Sequence, residues 1–295
     1  MAEKSFAERY PYRDAEGNLL VAKGICDTEK KLIVPDGTVE IAINEGAVYC
    51  LLQDKSFQKL ALATGEIIPF SQKKYKVGSA TIDELFNNSQ KIVGPIKSWE
   101  ISGGKIYALV NFSKIFLLNA KSCEREQVLF FKEDIIGIGV EKSNIYIAST
   151  ATTISCYSLL ESRLLLQWGW INQMIQNFEP KKITIRNGIL YAISDDKLFR
   201  MEFGKVKKNK EVGNVSIIST SKCKEKIIDF VVSEDGRSII TLDIQGNIEV
   251  FDEYLNKKNS RFKIESAQAI EMECNCLYIL IDQDVRIFEF LDQKK

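Results

Sequence analysis

The stretch IIDFVVSEDGRSIITLDIQGNIEVFD, residues 227–252, contains three short runs rich in Ile and Val. The runs are separated by SEDG and IQG, two sequences with the Asp and Gly residues that tight turns favour. Within SIITLD and NIEVFD, apolar and polar residues alternate as they do in a β-strand with one buried face. The stretch therefore predicts three strands joined by two hairpin turns.

The same hairpin pattern returns five more times, which predicts a repeat protein. The further copies begin at residues 47, 105, 144, 189 and 276. One place in the first strand of each copy holds Tyr49, Tyr107, Tyr146, Tyr191, Ile240 or Tyr278. The first apolar residue of the second strand recurs at Phe57, Ile115, Ile154, Leu198, Ile248 and Val285. A period near 40 to 50 residues with short strands is typical of propeller blades.

The predicted fold class is therefore all-β, a β-propeller of six or seven four-stranded blades. The last copy leaves no residues for an outer strand, whereas GNLLVAKGI, residues 17–25, is an apolar strand candidate before the first copy. We expect this N-terminal strand to complete the last blade and close the ring. Residues 1–16 are then an N-terminal extension and 17–295 a single propeller domain. A seventh blade within residues 10–45 or 64–98 stays open.

The copy at 227–252 resembles a blade of the WD-repeat β-propeller family, whose repeats end in Asp-x-Thr-Ile-x-Val-Trp-Asp. Its window reads QGNIEVFD, and the Trp place of the six copies always holds a large apolar residue: Phe251, Leu60, Leu118, Tyr157, Met201 or Phe288. The family's turn Asp is matched at Asp54, Asp195 and Asp282. In the family, a His, this Asp, a Ser or Thr and the Trp share hydrogen bonds. The chain has no His, so apolar packing must hold its blades.

Composition limits the chemistry that the chain can perform. Without His, the Ser-His-Asp and Cys-His catalytic arrangements and imidazole metal ligation are excluded. Cys274 and Cys276 form one C-x-C pair with no second pair, which is a poor metal motif. No phosphate-binding Gly-rich loop and no catalytic carboxylate pair are evident. We therefore expect no enzyme activity, no metal, no cofactor and no small-molecule substrate.

The charge balance and the cysteines indicate the compartment. Lys plus Arg and Asp plus Glu number 40 each, and no apolar run approaches the length of a membrane-spanning helix. The N-terminus has no apolar core of a secretory signal, and seven scattered Cys suit a reducing environment. We expect an intracellular protein, cytoplasmic or nuclear, without membrane contact.

Residues 161–180, ESRLLLQWGWINQMIQNFEP, lengthen the connection between two copies. Trp168, Trp170, Met174 and Phe178 are of types enriched at interface cores, which favours a hydrophobic docking patch. The alternative is that residues 164–168 form the outer strand of their blade and the rest packs back.

Residues 204–226 hold seven Lys against two Glu. If they share one rim, they form a basic patch able to bind phosphates or an acidic partner: Lys205, Lys207, Lys208, Lys210, Lys222 and Lys224. The alternative is a set of solvated loops. The sequence as a whole favours a non-catalytic scaffold that binds other protein subunits of an intracellular complex. The second possibility is a propeller subunit of an RNA- or DNA-associated complex, with its Lys-rich loops on the phosphates.

Overall fold

The computed structural model describes residues 12–13, 19–22, 25–70, 96–150, 153–160, 163–170, 180–204 and 212–290. All regular elements in these ranges are β-strands, so this part of the chain is all-β, as predicted. It contains no helix with the length and apolar character needed to cross a membrane.

The strands form successive antiparallel units, which we number as blades. Before blade 1 come β1 (Tyr12–Arg13), β2 (Leu19–Ala22) and β3 (Ile25–Ile33). Blade 1 contains β4 (Thr38–Asn44), β5 (Ala47–Leu52) and β6 (Phe57–Ala61). Blade 2 contains β7 (Ile96–Ser102), β8 (Lys105–Val110), β9 (Lys114–Asn119) and β10 (Arg125–Phe130). Blade 3 contains β11 (Ile135–Glu141), β12 (Asn144–Ser149), β13 (Thr153–Ser158) and β14 (Arg163–Trp170).

The remaining strands form three more blades. Blade 4 contains β15 (Lys182–Arg186), β16 (Ile189–Ser194), β17 (Lys197–Phe203) and β18 (Val212–Lys222). Blade 5 contains β19 (Ile227–Val232), β20 (Ser238–Asp243), β21 (Asn247–Asp252) and β22 (Lys257–Lys263). Blade 6 contains β23 (Ala267–Glu273), β24 (Cys276–Ile281) and β25 (Asp284–Phe290), and β3 pairs with β25 as its fourth strand.

The six blades form a ring. Their first strands contact one another in the order β4, β7, β11, β15, β19, β23 and back to β4. Six apolar clusters of the described residues lie one at each junction between neighbouring blades, including the junction of blades 6 and 1, where Leu280 packs near Val48. This is a six-bladed β-propeller in the part of the chain that the structure describes, which confirms the predicted fold class.

An N-terminal strand does complete the last blade, but it is β3 rather than the predicted residues 17–25. Ile25 pairs with Phe290, and Leu32 pairs with Val285. β2 is added outside β3. The sequence concealed β3 because it is an outer strand: its middle residues face solvent and are polar, while only its ends are buried.

The repeat positions found in the sequence occupy equivalent places in the sheets. The recurring Tyr is the third residue of the second strand in five blades, as Ile240 is in blade 5. The first apolar residue of the third strand pairs with the second strand in each blade, as Leu109 does with Ile115. Phe251 and Phe288, at the place of the family's Trp, are fully buried. The fold therefore uses a large apolar side chain at this position to fill the core.

Asp side chains hold several turns in place of the missing His network. The Asp243 carboxylate accepts hydrogen bonds from the backbone nitrogens of Gln245 (2.8 Å) and Asn247 (2.9 Å). It also accepts one from the Asn247 side chain (2.8 Å). Asp252 binds the backbone and side chain of Asn256 in the same way. These contacts stay within one turn, so they fix hairpins without linking blades.

Blades 3 and 4 share one eight-stranded sheet, which the repeat pattern does not predict. β14 pairs in parallel with β18, from Gln167 beside Val212 to Trp170 beside Val215. β18 has 11 residues, more than any other strand described. Its length lets its first residues extend past β17 and reach the outer strand of the neighbouring blade.

Replacing Phe251 by Ala should destabilise the protein by about 3–5 kcal/mol, because it removes a fully buried ring between two blades. Urea unfolding followed by tryptophan fluorescence measures the change. Leu160→Ala is the control, since Leu160 is 82% exposed and should change stability by under about 0.5 kcal/mol. Equal losses for both variants would contradict this account of the core.

Candidate functional site

The centre of the ring is a cavity of about 590 Å³. Residues from the first strand of all six blades line it, so it is the central channel of the propeller. Its wall is rich in charged side chains although it lies inside the fold. The charged residues that line it include Glu40, Glu100, Lys182, Arg186, Asp229 and Glu271.

Strand register arranges these charges in layers. In the first layer, Glu40, Lys182 and Asp229 each pair with the fifth residue of the neighbouring second strand. In the next layer, Glu100, Thr184 and Glu271 lie opposite Tyr107, Tyr191 and Tyr278. Because side chains alternate along a strand, both layers face the channel while the residues between them pack between blades.

Lys182 and Asp229 form the closest ion pair in the channel. The Lys182 Nζ lies 2.6 Å from Asp229 Oδ1, which also accepts a hydrogen bond from the Phe230 backbone nitrogen (2.8 Å). The other oxygen, Oδ2, accepts one from the Ile270 backbone nitrogen (2.8 Å). The pair therefore joins blades 4, 5 and 6. The surrounding carboxylates raise the pKa of Lys182 despite its burial, so it stays charged.

Glu100 performs the same joining role on the other side of the channel. One carboxylate oxygen accepts a hydrogen bond from the Val140 backbone nitrogen, and the other accepts one from Thr184 Oγ1 (3.1 Å). Blades 2, 3 and 4 meet at this side chain. Blades 3 and 4 approach closely beside this contact, since a Cβ at Gly139 of β11 would lie 3.3 Å from Ile185.

The channel holds more carboxylates than cations. Its two layers contain four acids, Glu40, Glu100, Asp229 and Glu271, and one cation, Lys182, and Arg186 lines the channel beside them. Burial raises the pKa of Glu40 to about 7, and Lys182 opposes this rise only in part. Burial raises the pKa of Glu100 to about 7 as well, and that of Glu271 above its usual range. The acid excess is thus relieved by protonation near neutral pH.

This arrangement suits structure better than catalysis. The best-defined charges, Asp229 and Glu100, are engaged with backbone groups of neighbouring blades. Among the residues described, no group of three or more His, Cys, Asp or Glu is placed to hold a metal ion. The channel therefore joins the blades electrostatically as well as enclosing space.

The predicted hydrophobic patch is only partly described. Trp168 lies on β14 and is 5% exposed, and its ring lies 4.5 Å from that of Phe203. Its Nε1 donates a hydrogen bond to the Gly204 carbonyl oxygen (3.1 Å). Trp168 is thus a core residue of an outer strand, which agrees with the alternative of an outer strand. Trp170 ends β14, and Met174 and Phe178 lie outside the described residues, so a patch formed by these three stays a prediction.

The predicted basic patch is divided in the same way. Lys205, Lys207, Lys208 and Lys210 lie outside the described residues, in the segment between β17 and β18. Lys222, at the other end of β18, is exposed and forms an ion pair with Asp196 (3.1 Å). Lys224 is exposed beyond it. Because the other cluster is not described, a patch that it shares with Lys222 and Lys224 stays a prediction.

Sequence reasoning missed the channel charges. One signal was present: a charged residue interrupts an apolar run in the first strand of several blades, as in TVEIAIN, KSWEI and IIDFVV. A charge in the middle of a buried strand must face either a partner or a cavity. The repeat pattern lies in the second and third strands, so it does not extend to these positions of the first strand.

No protein-family model matches the chain, and no curated protein matches it. Among solved structures, the chain is similar to the Cps50 (Swd1) β-propeller domain of Myceliophteria thermophila, with a TM-score of 0.61 and 8% identity. That similarity covers 89% of this chain and 99% of the other. The similarity to the designed Ika8 protein (TM-score 0.48, 11% identity) covers 85% of this chain and 70% of that chain.

BamB of Moraxella catarrhalis (TM-score 0.47, 14% identity) covers 85% of this chain and 71% of its own. At these identities the comparison with the Cps50 domain establishes the fold and nothing finer. The chain has the β-propeller fold that its WD-repeat-like pattern predicts.

Glu40→Gln should reduce the loss of stability between pH 5 and pH 8. The folded-state pKa of Glu40, about 7, exceeds its ordinary value of 4.5, so its protonated form favours folding. That contribution is complete below pH 4.5 and is lost as the pH rises through about 7. Wild type should therefore lose on the order of 1–3 kcal/mol more than the variant over this interval.

Urea unfolding at pH 5, 6, 7 and 8 measures the difference. Glu265→Gln is the control, because the Glu265 side chain is 76% exposed and lies away from the channel. Parallel pH profiles for wild type and Glu40→Gln would show that Glu40 is not buried as described.

Proposed function

We propose that this propeller is a non-catalytic scaffold that binds other protein subunits of an intracellular complex. The observation that carries the proposal is an uneven distribution of exposed apolar side chains. They concentrate on one face of the ring, which we call the entry face because the first strand of each blade begins there.

Backbone hydrogen bonds define the entry face. The connection from each blade to the next meets the turn between the second and third strands. Ile227 donates to the Asp195 carbonyl (2.8 Å), and Thr150 donates to the Asp134 carbonyl (2.9 Å). Val34 donates to the Gln283 carbonyl (2.9 Å). These bonds place the two sets of loops at the same end of the strands around the ring.

Half of the exposed large apolar residues described lie on this face. There are twelve in all, and six of them belong to entry-face turns or to strand ends beside them: Ile33, Val39, Phe112, Phe130, Ile228 and Ile244. The opposite face has Leu160 and Tyr254, and the remaining four lie on the outer rim. Single exposed apolar residues are ordinary, but their concentration on one face is typical of protein-binding surfaces.

The cysteines support the intracellular part of the proposal. None of the seven, all within the described residues, forms a disulfide, and five of them are buried as small apolar residues. Thiols that form no disulfide suit a reducing compartment. The similarity to the Cps50 propeller domain supports the fold on which the scaffold role rests, and it assigns no partner.

A second candidate function is contact with RNA or DNA phosphates. Lys181 and Lys226 lie side by side on the entry face beside Asp195, and a side-chain hydrogen bond with Lys181, together with the charge of Lys181, lowers the pKa of Lys226. Two adjacent exposed ammonium groups are suited to a phosphate. The exposed Lys224 lies two residues from Lys226. This favours the Lys-rich segment as a contact, although acidic neighbours make the face as a whole mixed in charge.

The tagged protein, purified from its native cells, should retain partner proteins that mass spectrometry identifies. The double variant Phe130→Glu and Ile244→Glu should lose most of them, because it places charges in the apolar surface. The matched control is Leu160→Glu, on the opposite face, which should retain them. Partners that the double variant still retains would refute an entry-face scaffold.

The same preparations distinguish the nucleic-acid candidate. Nuclease treatment and increasing salt should leave a scaffold complex intact. If the partners are instead lost steeply with salt, and Lys207→Ala, Lys208→Ala and Lys210→Ala together weaken retention, the phosphate-binding candidate replaces the scaffold.

A further inference from the structure

Phe112, at the tip of a turn on the entry face, has an unusual backbone. The turn joins β8 to β9, and both Asn111 (φ 51°) and Phe112 (φ 58°) adopt the left-handed conformation. Asn tolerates this region, whereas a bulky residue is strained there. Phe112 is the only aromatic residue with positive φ among those described.

A comparison within the chain shows that packing does not explain this strain. Leu255 also has a positive φ (64°), but its side chain is 5% exposed and belongs to the apolar core between blades 4 and 5. Core burial offsets the strain at Leu255. Phe112 has the same kind of strain with a side chain that is 42% exposed. The Phe112 carbonyl oxygen accepts a hydrogen bond from the Ile135 backbone nitrogen, which fixes the turn, but the exposed ring gains no core burial in return for the strain. Strain of this kind is typical of functional positions.

The surroundings of Phe112 form a small surface of distinct chemistry. The Lys97 ammonium lies 4.5 Å from the Phe112 ring centroid, and the Lys114 ammonium lies 5.7 Å from that of Phe130. Phe130 is 71% exposed, and it pairs with Lys114 across β9 and β10. We call these four residues the aromatic–lysine patch. Both rings are on blade 2, and each has a cation beside it.

The lysines of the patch determine which partner charge it suits. Neither Lys97 nor Lys114 forms an ion pair with a carboxylate of the described residues; each instead contacts a ring. Their ammonium groups can therefore form an ion pair with a carboxylate of a partner, while the rings pack against an apolar side chain of that partner. A partner with an acidic residue next to a large apolar residue matches both features.

We propose that the aromatic–lysine patch binds a linear peptide segment of a partner protein in which Asp or Glu adjoins a large apolar residue. The proposal rests on the scaffold function and names the chemistry of one contact on the entry face. Phe112 is the anchor, and Lys97 and Lys114 select the charge. The strained turn holds the Phe112 ring toward solvent, an orientation that packing within blade 2 alone does not require.

The probe is a phage-displayed library of random linear peptides, selected on the full chain at moderate salt. Selected sequences should be enriched in Asp or Glu beside Leu, Ile, Met, Phe or Trp. Synthetic copies are then measured by fluorescence polarisation. Phe112→Asn and Lys97→Glu should each weaken their binding at least tenfold. Leu160→Ser, an exposed apolar position on the opposite face, should leave it unchanged.

A charge swap makes the test specific. A peptide whose Glu is replaced by Lys should bind Lys97→Glu better than it binds wild type. Thermal unfolding separates binding from structure, because Asn accommodates the left-handed region. Phe112→Asn should therefore unfold at the same temperature as wild type or slightly higher. A marked fall would show that Phe112 supports the fold, which overturns the proposal.

A second probe, a single-stranded U-rich RNA, tests the other class of partner. RNA binding that is lost in Phe112→Asn, with no selected acidic peptide, would overturn the proposal in favour of base stacking. If partner retention depends on Phe130 and Ile244 but no peptide depends on Phe112 or Lys97, the scaffold function stands and this contact is wrong. If neither partner retention nor peptide binding depends on these residues, the scaffold function is wrong as well.

Discussion

Apolar packing between neighbouring sheets is the interaction on which the rest of the structure depends. Each of the six junctions has its own cluster of buried Ile, Leu, Val and aromatic side chains. The chain has no His with which to build the hydrogen-bond network of a WD-repeat blade. Sheet spacing is therefore set by side-chain volume, and Gly137 and Gly139 show how closely: a Cβ at either would lie 3.2–3.3 Å from an Ile of blade 4.

The channel adds a second kind of joint at the centre of the ring. Apolar clusters connect blades pairwise, whereas Glu100 and Asp229 each contact three blades through backbone and side-chain donors. Carboxylates outnumber cations there, so part of the wall carries protons near neutral pH. The charged side chains of this polar centre are hydrogen-bonded, which stabilises them inside the fold. The entry face, with its exposed apolar residues, is left available for binding.

The sequence predicted the strands that recur in every blade and missed the features that differ from blade to blade. The second strand of each blade is buried on both faces, and a short turn joins it to a third strand that is buried mainly on one face. Their pattern is therefore regular from Tyr49 to Tyr278. Outer strands such as β3 are largely solvated and read as loops. The charges of the channel escaped because each blade contributes a different residue: Glu40, Lys182 and Asp229 share one layer but no residue type. Trp168 resembled an exposed anchor because its hydrogen-bond partner, Gly204, belongs to the next blade.

Blade 6 is assembled from segments that are far apart in the sequence, since Ile25 pairs with Phe290. During synthesis, β3 leaves the ribosome long before its partner β25 exists. Five blades can form hairpins locally as they emerge, but the ring stays open, with apolar surface exposed on blades 1 and 6, until β25 emerges and pairs with β3. The slowest and most aggregation-sensitive step in the folding of this propeller is therefore expected at the closure of the ring by β25, and a chaperone would be most useful there.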